Sequence, residues 1–123
     1  MIDIPRPGRP VRGSSSGAPI MALFDLLGRR WAMGVLWTLS EIGPATFRTL
    51  AEQCDSISPT VLNSRLKELR AARLVEKSTG GYVATQLGRR VYQQLVPLGQ
   101  TAKLWSRVLA NEDAAEAGDC AGA

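Results

Sequence analysis

A chain of 123 residues with 15 Lys and Arg against 11 Asp and Glu has room for one folded domain, and its net charge of +4 and pI near 9.6 favour a polyanionic partner. It contains no histidine and only two cysteines, Cys54 and Cys120, far apart in sequence. This excludes the common zinc constellations, any Ser-His-Asp or Cys-His nucleophile and histidine as a proton shuttle, so neither an enzyme nor a cofactor is expected.

Residues 1–18 are rich in Pro, Gly and Ser, carry Arg6, Arg9 and Arg12, and show no apolar period, which predicts a flexible basic arm. The apolar run Pro19 to Leu27 is interrupted by Asp25 and followed by Arg29 and Arg30 rather than by small residues, so it does not read as a secretory signal. No run is long enough to span a bilayer; no membrane partner is expected, and the cytoplasm is the expected address. Ile20 to Leu27 predicts a short amphipathic helix with Leu23, Phe24 and Leu27 on one side, ended by Gly28. Arg30 to Ile42 predicts a second helix, apolar nearly all round. Trp31, Val35, Leu39 and Ile42 form one stripe, and Met33, Leu36 and Trp37 widen it. Such a helix needs cover on more than one side, and a second subunit is the expected use for the surplus. Gly34 in mid-helix costs about 1 kcal/mol against Ala, which suits close helix contact. Gly43 and Pro44 stop the helix.

Ala45 and Thr46 predict a minimal strand, with Thr46 capping a third helix from Phe47 to Cys54. Cys54 shares a register with Phe47, Leu50 and Ala51, so it reads as a small buried hydrophobe rather than a redox thiol. Only Asp55, Ser56 and Ile57 separate this helix from the stretch Ser58 to Val75, S-P-T-V-L-N-S-R-L-K-E-L-R-A-A-R-L-V. Ser58 supplies a capping hydroxyl, and Pro59 falls at the first helical position, where its missing N–H costs nothing. Leu62, Leu66 and Leu69 recur on one buried face, with Ile57 as a hydrophobic staple on Leu62. Thr60, Asn63, Ser64, Lys67 and Ala71 fall opposite, a face of short polar groups and one cation with no acid. Two helices joined by so tight a turn form a helix-turn-helix.

Beyond Arg73, Leu74 to Lys77 is expected to pair with Tyr82 to Thr85 across Ser78, Thr79, Gly80 and Gly81. A helix-turn-helix followed at once by a hairpin is the winged-helix order. Gln86 to Ala110 is helical again, with a kink expected at Pro97. Residues 111–123 carry Glu112, Asp113, Glu116 and Asp119 and no cation, which predicts a disordered acidic tail. The domain between, residues 19–110, then holds twelve Lys and Arg against six Asp and Glu, a net of +6. The fold expected is mainly α with one small hairpin, with additional dimerisation helices at both ends. Ile20, Leu23, Phe24, Met33 and Trp37 from the first helices and Leu98, Leu104, Trp105 and Val108 from the last are the candidate homodimer interface. Tryptophans at helical spacing suit packing better than a ligand pocket.

These blocks resemble the HxlR-type winged-helix transcriptional regulators of bacteria from about Ala18 to Trp105. A-P-I-M-A-L-F-D-L-L-G-R-R-W is similar to that family's C-P-x-x-x-A-L-D-L-I-G-G-K-W. The block I-S-P-T-V-L-N-S-R-L-K-E-L-R-A-A-R-L-V resembles I-S-P-K-V-L-T-x-R-L-R-E-L-x-x-x-G-L-V, and Y-V-A-T-Q-L-G resembles Y-x-L-T-x-x-G. The resemblance implies a homodimer, joined through the first and last helices, that binds a two-fold operator with two recognition helices and two wings. Three departures bear on this. Ala18 stands where many redox-responsive members carry cysteine, the wing S-T-G-G is shorter, and Thr60 replaces the lysine of the S-P-K stretch.

The partner expected is therefore double-stranded DNA. Thr60, Asn63, Ser64 and Lys67 are the candidates to line a major groove, with Ser58 at the helix start; Asn63 has the amide chemistry for adenine, while Lys67 suits phosphate. Arg65 lies nearer the buried face and either braces the helix or reaches the DNA backbone from its edge. Lys77, Ser78 and Thr79 are the wing candidates, and Arg48 is a phosphate clamp on the preceding helix. A small-molecule effector would add to this function rather than compete with it. The competing function is a winged helix used as a protein-interaction or assembly module.

Overall fold

The computed structural model describes residues 2–54 and 56–122, with side chains as far as Glu116. Asp55 and the side chains of residues 117–122, those of Asp119 and Cys120 included, lie outside the described residues. The elements in order are α1 (Pro19–Leu27), α2 (Ala32–Ile42), α3 (Phe47–Gln53), α4 (Pro59–Ala71), β1 (Val75–Ser78), β2 (Gly81–Ala84) and α5 (Gln86–Gly122). This is the expected winged helix-turn-helix order, with five helices and one antiparallel hairpin among the described residues.

Residues Met1–Tyr92 form one compact unit. Its centre is α2, which packs against α1, α3, α4 and β2. That explains why α2 is apolar nearly all round: Val35, Leu36 and Leu39 are at most 1% exposed, and of its large apolar side chains only Met33 and Ile42 stay exposed. Most of the surplus expected to cover a second subunit is covered within the chain itself.

The start of α2 differs from expectation. Trp31 adopts φ 74°, so Arg30 and Trp31 belong to a turn and the helix begins at Ala32. A bulky side chain in the left-handed region is strained, and contacts from α4 hold the turn in place. The Nε of Arg65 donates to the Arg30 carbonyl at 2.7 Å, and Arg29 forms an ion pair with Glu68.

Thr46 caps α3 as expected, its hydroxyl accepting from the Thr49 N–H at 3.1 Å. The minimal strand before it is a bridge: Ala45 and Tyr82 exchange backbone bonds of 2.9 and 2.7 Å. Gly81, at φ 114°, permits this approach, since a Cβ there would stand 2.4 Å from the Ala45 carbonyl oxygen. The hairpin register pairs Val75 with Ala84 and Ser78 with Gly81, leaving Thr79 and Gly80 as a two-residue turn.

At the C-terminal end of α4 the chain reverses through Arg73 at φ 65°, and the Leu74 N–H donates back to the Leu69 carbonyl at 2.9 Å. This is the closing turn that glycine favours, and a side chain in that conformation costs about 1 kcal/mol. Thr85 fastens the turn to the next helix: its hydroxyl donates to the Arg73 carbonyl at 2.7 Å and accepts from the Gly88 N–H at 3.0 Å.

The arm also differs from its composition. Ile4 is buried in the core at 8% exposure, and the Gly8 N–H donates to the Gly17 carbonyl at 2.8 Å. The second unit, Gln93–Ala123, holds the remainder of α5, which is described as far as Gly122. This helix runs through Pro97 and past Ala110 into the segment expected as an acidic tail. The physical reason lies in Ala114, Ala115 and Glu116, strong helix formers that need no apolar repeat to favour helix. Leu98, Leu104 and Trp105 in this unit remain more than half exposed.

Candidate nucleic-acid interface

Everything about α4 is arranged to expose one side. Its N-terminus is fixed by the Ser58 hydroxyl, which accepts from the Val61 N–H at 3.1 Å, and by Pro59 at the first helical position. Its inner face is fixed by Leu62, Leu66 and Leu69, each at most 1% exposed. Rotation about the helix axis is thereby decided, and Thr60, Asn63 and Lys67 project to solvent with Ser64 half-buried beside them. None of these four side chains forms a hydrogen bond or ion pair among the described residues, so their donors and acceptors are free for a partner.

Ala71, expected on the same outer face, is half-buried and packs on the core; Arg70 takes the exposed position instead. The outer face therefore continues from Lys67 by three residues rather than four, and sequence spacing alone allowed either. Arg65 pairs with Glu68 and donates to the Arg30 carbonyl, contacts that suit the bracing role. Ser58 is likewise occupied by its capping bond.

Three wing residues sit on or beside the hairpin tip, all exposed. The Lys77 ammonium lies over the Tyr82 ring, 5.3 Å from its centre, and the Ser78 hydroxyl donates to the Gly81 carbonyl at 3.3 Å. Thr79 stands in the turn. Arg48 projects from α3 with its side chain 90% exposed and meets Glu52 at 3.4 Å, a solvated pair worth a few tenths of a kcal/mol at most and easily exchanged for another anion. Sequence reasoning overlooked two groups near α4. One is Glu68, buried between Arg29 and Arg65; the other is the cation pair Arg70 and Arg73 at the helix end.

The candidate dimer residues divide by unit. In the first, Ile20, Phe24 and Met33 are exposed by 45–58%. Leu23 packs on the core instead, and Trp37 is half-buried with its ring edge-on to Tyr92 of the same chain, centroids 5.0 Å apart. The Tyr92 phenol is raised above its usual pKa, first by hydrogen bonding to the neighbouring Glu41, then by loss of solvent and by the Glu41 charge. In the second unit, Leu98, Leu104, Trp105 and Val108 are exposed by 45–64%. Cys54 is buried, as its register predicted, with Thr38 beside its sulfur. Among the described residues no cluster of potential metal ligands occurs, and no helix is long and apolar enough to cross a membrane.

The same arrangement recurs in known proteins. Crystal structures that superpose on this chain include a possible HxlR family transcriptional factor from Thermoplasma volcanium, with a TM-score of 0.60 and 29% identity over 69% of this chain and 82% of that one. The quinone-bound YodB of B. subtilis gives a TM-score of 0.59 and 31% identity over 72% of this chain and 94% of YodB. In sequence, 59 residues are 36% identical to the HTH-type transcriptional regulator BH0655 of Halalkalibacterium halodurans. That match takes in 48% of this chain and spans about half the length of the relative, 52%. The family model for HxlR-like helix-turn-helix proteins matches residues 26–109, which take in the helix-turn-helix, the hairpin and the apolar part of α5. With fold, element order and sequence all in agreement over that span, the chain belongs to the HxlR-like helix-turn-helix family of transcriptional regulators.

Proposed function

We propose that the protein is a sequence-specific DNA-binding regulator that acts as a homodimer on a two-fold operator, with α4 in the major groove. One observation carries this: α4 is locked by its leucine face and its cap, while Thr60, Asn63 and Lys67 stand exposed with no intramolecular partner among the described residues. A short polar face with a cation and no exposed acid suits base edges and phosphates. Asn63 reads adenine, Thr60 and Ser64 support it, and Lys67 and Arg48 hold phosphate. Lys77, Ser78 and Thr79 meet the backbone at the wing. Arg65 acts through Glu68 and the turn before α2, as a brace, and Ser58 as a cap.

A single domain offers few base contacts, so useful specificity calls for two half-sites about 34 Å apart, one turn of DNA. The exposed apolar residues of α1 and α5 support the pairing of two chains. A small-molecule effector fits the same reading, as the quinone-bound form of YodB illustrates for that protein. Here Ala18 stands in place of the cysteine and Cys54 is buried, so neither position offers an accessible thiol, and a non-covalent effector is the form proposed. An effector would reveal itself as a ligand-dependent rise in melting temperature.

The test is selection of bound sequences from random duplexes with the purified protein. A two-fold symmetric site is expected. Asn63→Ala should then lose about 1–3 kcal/mol and relax the preference at one position, whereas Lys67→Ala should weaken all sequences alike and flatten the salt dependence. No enrichment, with no salt-dependent duplex binding, would transfer the fold to the protein-interaction reading.

A further inference from the structure

Between the C-terminal half of α4 and β1 lies a concave surface of about 640 Å³. Arg6 of the arm, Lys67 and Arg70 of α4, Arg73 of its closing turn and Lys77 of β1 all line it; among the described residues Glu76 is the single carboxylate there. All five cations are exposed, and none forms an ion pair among the described residues. Five like charges on one concave surface repel one another, an arrangement that an anionic partner would relieve. A second observation points the same way. Arg73 occupies φ 65°, a conformation that glycine favours, and its side chain forms no hydrogen bond or ion pair among the described residues in return for the strain.

We infer that this cleft grips the phosphate strand of a nucleic-acid duplex, adding Arg6, Arg70 and Arg73 to the contacts made by the outer face of α4. The inference rests on the DNA-binding reading above. If α4 occupies a major groove and the hairpin tip reaches the neighbouring minor groove, the strand dividing the two grooves crosses between helix and wing, which is where the cleft lies. Guanidinium groups match phosphate oxygens in pairs, so the contribution is to affinity and register rather than to base choice. Recruitment of Arg6 also gives the arm a use. Ile4 is seated in the core two residues before it, which keeps the Arg6 backbone beside the cleft.

The experiment compares the full-length protein with Arg73→Gly and Arg6→Ala, using a fluorescently labelled random-sequence duplex titrated at several salt concentrations. Arg73→Gly is the informative variant, because glycine relieves the left-handed backbone and the protein should melt no lower than the wild type. Roughly tenfold weaker binding by each variant is expected, with the slope of log K against log salt shallower by about one. Wild-type affinity and slope in both variants would overturn the cleft while leaving α4 as the reading element. Failure of the wild-type protein itself to bind duplex in dilute salt would overturn the DNA-binding reading and the cleft with it.

Discussion

Glu68 is a charged side chain left only 7% exposed in the core region, and its two partners come from different places in the chain. Arg65 lies one helical turn before it, and Arg29 lies in the turn that precedes α2. A carboxylate so buried is tolerable only when paired, and removal of one member leaves the others uncompensated. The arginines keep between a fifth and a third of their exposure, which softens the penalty. Glu68→Ala should therefore cost about 2–4 kcal/mol in urea unfolding, below or within the lower part of the range for fully buried pairs. A loss under about 0.5 kcal/mol, the scale of an ordinary surface change, would count against the clamp. The pattern of leucines in α4 was readable from spacing, but this carboxylate was not. Its significance depends on Arg29, thirty-nine residues away in sequence.

At the scale of elements, capping residues were the most informative signals. Thr46 and Ser58 place the starts of α3 and α4, because a side-chain oxygen bonded to an amide two or three residues on is a local matter. The start of α2 was not legible, since the left-handed Trp31 is held by α4 rather than by its neighbours. Where hairpin and α5 meet, closeness of backbone rather than turn freedom sets the residue. A Cβ on Gly88 would stand 2.0 Å from the Leu74 carbonyl oxygen, so α5 approaches the hairpin only without a side chain there. Gly88→Ala is expected to destabilise the protein by about 3 kcal/mol or more, or to prevent folding, as measured by the denaturant midpoint. A change below about 1 kcal/mol would show that α5 can move away at little cost.

On the scale of the whole molecule, the exposed apolar side chains of α1 and α5 carry the dimer proposal. Leu104 and Trp105 are 54% and 64% exposed, an uncommon state for large apolar groups lying one after the other. Trp105→Glu should raise the dimer dissociation constant by more than tenfold in sedimentation equilibrium, with helix content retained. Unchanged association would move the interface off α5. The sequence by itself determined the winged helix-turn-helix order and the leucine face of α4, because helical period, caps and turn glycines act within a few residues of where they are written. Only the tertiary structure decided that α2 is covered by four of its own neighbours and that Arg65 braces Glu68. It alone also brought Arg6, Arg70 and Arg73 to one cleft. Charges and apolar surplus have no partner in sequence; they acquire one when distant segments pack.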